Sequence, residues 1–91
     1  MQAASFMEAF KKGRNRKMRE KVKELLMANY PDVDFESSEA LVDDGVLDSI
    51  IVVGIITDLS MEFGVEIPYE EIVAENFNSL DAMAALVEKY Q

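Results

Sequence analysis

The stretch Asp48-Ser49-Ile50-Ile51-Val52-Val53-Gly54-Ile55-Ile56-Thr57 is the most hydrophobic and most β-branched part of the chain, and its conformation decides the fold class. Local preference points to a strand, because β-branched side chains suit a pleated, half-buried surface. The spacing of the apolar residues points to a helix. At about 100° per residue, Val52, Ile55, Ile56, Leu59 and Phe63 share one face. That pattern continues to Phe63, where Gly64 stands in the position of a helix C-terminal glycine. A helix over residues 49–63 explains the whole segment, whereas a strand explains about half of it. The apolar run is also far short of the roughly 20 residues that a membrane-spanning helix requires.

The same reasoning places the other elements. Met18, Val22, Leu25, Leu26 and Tyr30 mark a helix from about Lys17 to Asn29, stopped by Pro31. From Asp32 to Asp48 the chain is acidic and aperiodic, with Val33, Phe35, Leu41, Val42, Val46 and Leu47 spaced as if pinning a long loop to a core. A loop of this length in a small domain is usually functional. Gly45 supplies a turn just before the Asp-Ser pair. Val65 to Pro68 reads as an extended link, and Pro68 with Tyr69-Glu70-Glu71-Ile72 as the start of a short helix. A last helix starts near Asn78 or Ser79, with the stripe Leu80, Met83, Ala84, Val87 and Tyr90, and with Asn78 and Asp81 in a capping arrangement. The expected fold is all-α: a bundle of three main helices and one short helix, with a long loop between the first two. Residues 1–16 are expected to be a basic, flexible lead-in broken by Gly13, with helical tendency through Phe6 and Phe10, ahead of a domain over 17–91.

Composition removes several function classes. The 91-residue chain has no Cys, so no disulfide, thiolate nucleophile or cysteine-bound zinc is available. It has no His, the commonest general base and transition-metal ligand. No secretory signal is read at the N-terminus, and a small monomeric domain in the cytoplasm is expected. Eight of the nine Lys and Arg residues fall between Lys11 and Lys23, while sixteen of the eighteen acids follow residue 23 with Lys89 as their sole basic counterpart. So acidic a body repels nucleic acid and favours partners with basic surfaces. The basic segment reads as a solvated arm that neutralises this body, with contact to an anionic membrane or nucleic acid, with Phe6, Met7 and Phe10 nearby, as the alternative. Asp43, Asp44 and Asp48 do not form an EF-hand: Gly54 stands eleven residues after Asp43, where a bidentate Glu is required. No metal site and no catalytic residue is expected.

Asp48-Ser49 begins the central helix. Both residues are favoured N-caps, yet the residues three further on are Ile51 and Val52, so the reciprocal Glu or Gln of a capping box is missing. If Asp48 is the cap, the Ser49 hydroxyl lies free in the first turn. There, unpaired N–H groups and the helix dipole suit an attached phosphate. With no His to take its proton, this serine is a site acted upon and not a nucleophilic catalyst.

The run Leu47-Asp48-Ser49-Ile50, preceded by Asp43-Asp44-Gly45-Val46 and followed by Phe63-Gly64-Val65-Glu66-Ile67-Pro68, resembles the acyl carrier protein family and its peptidyl and D-alanyl carrier relatives over about residues 18–90. The resemblance implies a four-helix carrier without catalytic activity. Ser49 would receive 4'-phosphopantetheine from coenzyme A through a phosphopantetheinyl transferase, with Asp48 helping to position that enzyme's metal and phosphate. The arm would hold an acyl or aminoacyl thioester for an adenylate-forming ligase, acyltransferase or synthase. One departure stands out. Fatty-acid carriers present an acidic face on the helix after the serine, whereas Ile50, Ile51, Val53, Gly54 and Met61 give this chain an almost uncharged one. That face is more similar to stand-alone D-alanyl or peptidyl carriers. An apolar patch of this kind marks a partner surface, and an adenylate-forming ligase for an amino acid or other small carboxylate is the expected partner. The alternative is an unmodified helical interaction module that uses the same face.

Overall fold

A computed structural model describes residues 17–91. Helix α1 covers 17–29, and α2 is Ser49–Phe63. A 3-10 turn at Tyr69–Glu71 follows, then the single-turn α3 at Ala74–Phe77 and finally α4 at Leu80–Lys89. There is no strand among the described residues. The readings made for residues 1–16 lie outside them.

The β-branched segment is helical because burial outweighs local preference. Val52, Ile55, Ile56 and Leu59 are all buried, each such burial stabilising by about 1.5–3 kcal/mol, against helix-propensity costs of less than about 1 kcal/mol per residue. These side chains meet Met18, Val22 and Leu26 of α1 and Leu80, Met83, Ala84, Leu86 and Val87 of α4 in one core. Phe35, Leu41 and Leu47 from the long loop are buried in it, while Val33, Val42 and Val46 pack at its edge, as the apolar punctuation of that loop implied. Among the described residues no buried side chain is polar or charged. Gly64 ends α2 in the left-handed conformation at φ 63°, its N–H donating to the Ser60 carbonyl.

α1 lies antiparallel to α2. Tyr30, just past the end of α1, reaches Gly54 and Asp58, while Lys21 and Leu25 share a surface groove with Glu62 and Phe63. The basic residues of α1 partly neutralise the acidic body: Arg19 pairs with Asp81 at 3.0 Å and with Glu20 and Glu36 at 3.7 Å, and Lys23 pairs with Glu36 at 3.1 Å. Among the described residues, no helix is long and apolar enough to cross a membrane.

Two expectations are corrected. Pro68 opens only the 3-10 turn, because Ile72 at ψ 81° leaves helical geometry, and the short α-helix comes later, around the buried Phe77. The cap of α4 is Ser79, whose Oγ accepts from Ala82 N at 3.0 Å. Asn78 has helical backbone angles (φ −71°, ψ −21°), and a cap needs an extended residue.

Candidate functional site

The N-terminus of α2 is held by the loop that leads into it. Val46 N and Leu47 N both donate to the Leu41 carbonyl, at 2.9 and 3.0 Å, and Gly45 takes φ 80° to let the chain double back. Buried Leu41 and Leu47 fasten both ends of this turn to the core. Asn78 completes the arrangement from the other side. Its Oδ1 accepts from Val42 N at 2.9 Å and Asp43 N at 3.2 Å, its Nδ2 donates to Asp43 Oδ2 at 3.0 Å, and its carbonyl accepts from Leu41 N at 2.9 Å. The loop and the start of α4 are thereby tied together, and with them the position from which α2 begins. Sequence reasoning missed this role of Asn78. The available signal was that two cap-forming residues stand side by side at 78 and 79, and only one of them can serve α4.

Asp48 is the N-cap of α2. Its backbone is extended, its Oδ1 accepts from Ile51 N at 2.9 Å, and its carbonyl accepts from Val52 N at 3.0 Å. Ser49 is therefore the first helical residue, exposed to solvent, and its hydroxyl has no hydrogen-bond partner among the described residues. The amides of Ser49 and Ile50 likewise meet no acceptor there, so two donors and the positive end of a fifteen-residue helix surround the hydroxyl. These features fit a phosphodiester on Ser49: an accessible oxygen, free N–H groups and a favourable dipole for the added anion. Among the described residues no cluster of three or more acids, His or Cys could hold a metal ion.

The exposed side of α2 is mostly apolar. Ile50 is 81% exposed, Met61 78% and Val53 41%, with exposed Thr57 between them. Asp58 and Glu62 are the charged residues of α2, and Asp58 is engaged, its Oδ2 accepting from Tyr30 Oη at 3.1 Å and from Asn29 Nδ2 at 3.3 Å. Burial, reinforced by the neighbouring Asp58 carboxylate, raises the pKa of the Tyr30 hydroxyl and keeps it a donor. The other two residues read into this face are placed differently. Ile51 is half-buried and packs against the core. Gly54 is half-buried beneath Tyr30, because its missing side chain makes the room that the Tyr30 hydroxyl fills.

A family model described as the phosphopantetheine attachment site matches residues 16–87. No curated protein and no solved structure matches the chain.

Proposed function

Because the chain belongs to the phosphopantetheine attachment-site family, whose members are carrier domains and not enzymes, we propose that Ser49 is the residue joined to its covalent 4'-phosphopantetheine arm. One observation carries the assignment. Asp48 takes the Ile51 N–H and so forms the first turn of α2 without using Ser49, leaving an exposed hydroxyl beside two free amides. A modifying transferase would join Ser49 Oγ to the pantetheine-side phosphorus of coenzyme A, breaking the pyrophosphate bond so that adenosine 3',5'-bisphosphate leaves, and, as this chain has no His, the hydroxyl proton passes to a base on the transferase. The Ser49 and Ile50 amides then offset the charge of the phosphodiester. The Asp48 carboxylate, with one oxygen used by the cap, has a second oxygen for a cation that the transferase brings.

The arm's thiol supplies the chemistry of a thioester, through which an acyl or aminoacyl group is presented to partner enzymes. We assign partner docking to Ile50, Val53 and Met61, with Ile51 and Gly54 shaping the face from its inner edge. Its near absence of charge favours a partner that reads shape and apolar contact, such as an adenylate-forming ligase that loads an amino acid or other small carboxylate. The test is incubation with coenzyme A and a broad-specificity phosphopantetheinyl transferase, followed by intact-mass measurement. Wild type should gain one phosphopantetheine and Ser49→Ala none. Failure of folded wild type to gain mass, or an equal gain in Ser49→Ala, refutes the assignment.

A further inference from the structure

The strip of α2 that continues from Ser49 is broken at its middle. Ile50, Gly54 and Met61 follow one another at spacings of four and seven residues and so share one face. Ile50 and Met61 stand out into solvent, but position 54 brings no side chain to the strip. The end of α1 supplies one. Tyr30, the residue after that helix, places its hydroxyl where a β-carbon of residue 54 would lie. It is fixed there from backbone to tip. Its amide donates to the Leu26 carbonyl at 2.7 Å, and its own carbonyl accepts from Val33 N at 3.1 Å. Its ring meets buried Phe35 edge-on, with the centroids 6.4 Å apart, and its hydroxyl donates to Asp58. Tyr30, Gly54 and Asp58 are all half-buried, so part of this group stays open to a partner.

Two physical points give this placement a use. Because the hydroxyl proton goes to Asp58, what Tyr30 Oη offers outward is a lone pair, an acceptor. An aromatic side chain held in place before binding has little rotamer freedom left to lose, and tyrosine is among the residues that contribute most at interfaces. Distance is the second point. Residue 54 lies five residues beyond Ser49, about 7.5 Å along the axis of α2. An enzyme that takes the Ser49 hydroxyl into its active site covers, in an interface of ordinary size, about 800 Å² of this chain, a patch reaching roughly 16 Å from its centre. The Tyr30 hydroxyl over Gly54 falls inside that patch.

We propose that Tyr30 is a partner-reading residue: its hydroxyl fills the gap between Ile50 and Met61 and accepts a hydrogen bond from a donor that the phosphopantetheinyl transferase sets beside its contact with Ile50. The partner surface is thus built from the end of α1 as well as from α2. A transferase suited to it presents a shallow apolar surface with an N–H or O–H group one helical turn from the serine. This inference rests on the assignment of Ser49.

The experiment is steady-state modification of the full chain by a broad-specificity phosphopantetheinyl transferase with saturating coenzyme A, at a temperature where circular dichroism shows every variant folded. Modification of wild type tests the assignment of Ser49, and the variants then test Tyr30. In Tyr30→Phe, which keeps the ring and loses the oxygen, KM for the carrier should rise about three- to tenfold at unchanged kcat, the worth of one hydrogen bond. Tyr30→Phe/Gly54→Ser returns a hydroxyl to the same place from α2, in the room that the lost oxygen vacates, and should recover most of that rise. A merely structural effect of Tyr30→Phe would not be reversed by a hydroxyl on the other helix. An unchanged KM in Tyr30→Phe, a loss carried by kcat, or no recovery in the double variant overturns the proposal.

Discussion

The hydroxyl of Tyr30 stands where a side chain at residue 54 would begin: a β-carbon built on Gly54 lies 2.5 Å from Tyr30 Oη and 3.7 Å from the ring carbon that bears it. Gly54→Ala should therefore destabilise the fold. Overpacking costs about 1–3 kcal/mol, more than the gain of roughly 1 kcal/mol in helix propensity. In a Tyr30→Phe background the obstructing oxygen is gone, and the same substitution should be neutral or stabilising. Urea unfolding midpoints of the four proteins measure this directly. A stabilising Gly54→Ala in wild type would show that the two residues do not meet.

At the start of α2, capping and charge can be separated. Asp48→Ala should cost about 1 kcal/mol of stability through loss of the cap. Asp48→Asn keeps an oxygen for Ile51 N and should leave the unfolding midpoint nearly unchanged. If the carboxylate serves the transferase's cation, both variants should be modified more slowly than wild type at matched folded concentration. Unimpaired modification of Asp48→Asn would confine Asp48 to its structural role.

Exposure separates the residues of the partner face. Ile50→Glu and Met61→Glu should change stability by less than about 0.5 kcal/mol, because both side chains are largely in solvent, yet weaken loading by the cognate ligase. Ile51→Glu should destabilise by at least 1–3 kcal/mol through burial of an unpaired charge against the core, as an approximate range. Thermal melts alongside loading rates distinguish the two classes. Normal loading of both exposed variants would move the docking surface elsewhere.

Asn78→Ala removes the acceptor of Val42 N and Asp43 N, and the expected cost is about 1–3 kcal/mol. The amides of residues 41–47 should lose protection first. An Asn78→Asp variant retains the acceptor but sets a negative charge against Asp43, so it should recover only part of the loss, and more of it in high salt.

Alkaline titration has a definite sign. Tyr30 and Tyr90 both have raised pKa values, from burial and Asp58 for the first and from the hydrogen bond to Glu71 and burial for the second. Each contributes stability that is fully present below the ordinary tyrosine value of 10.0 and is lost as pH rises through the higher folded-state value. The urea midpoint should fall over that range in wild type and fall less in the Tyr30→Phe/Tyr90→Phe double variant.

What was legible in the sequence follows the range of each interaction. The course of α2 was readable because its signal is a periodicity over fifteen residues, long enough to override the strand preference of its first half. Asp48, Ser49 and Gly64 were readable because caps and left-handed glycines are decided within a turn. The short helix read after Pro68 is there only as the 3-10 turn at Tyr69–Glu71, and α3 was not read, because stretches of three or four residues carry no periodicity and the position of α3 depends on where Phe77 finds the core. Gly54 was read as part of an open face and Asn78 as a cap for the same reason. Each is defined by a partner far along the chain, Tyr30 in one case and Val42 and Asp43 in the other.

The composition of α2 limits how its surface can be borrowed. Six of its fifteen residues are Ile or Val and another is Gly, all weaker helix formers than Ala, and its first turn holds no acid. Cut out as a peptide, Ser49–Phe63 would have no core to repay that deficit and would be expected to leave the helical state, with a β-prone run exposed. Any attempt to graft the serine and its neighbouring face onto another protein must therefore carry α1, α4 and the long loop with it. The smallest transferable unit is the domain.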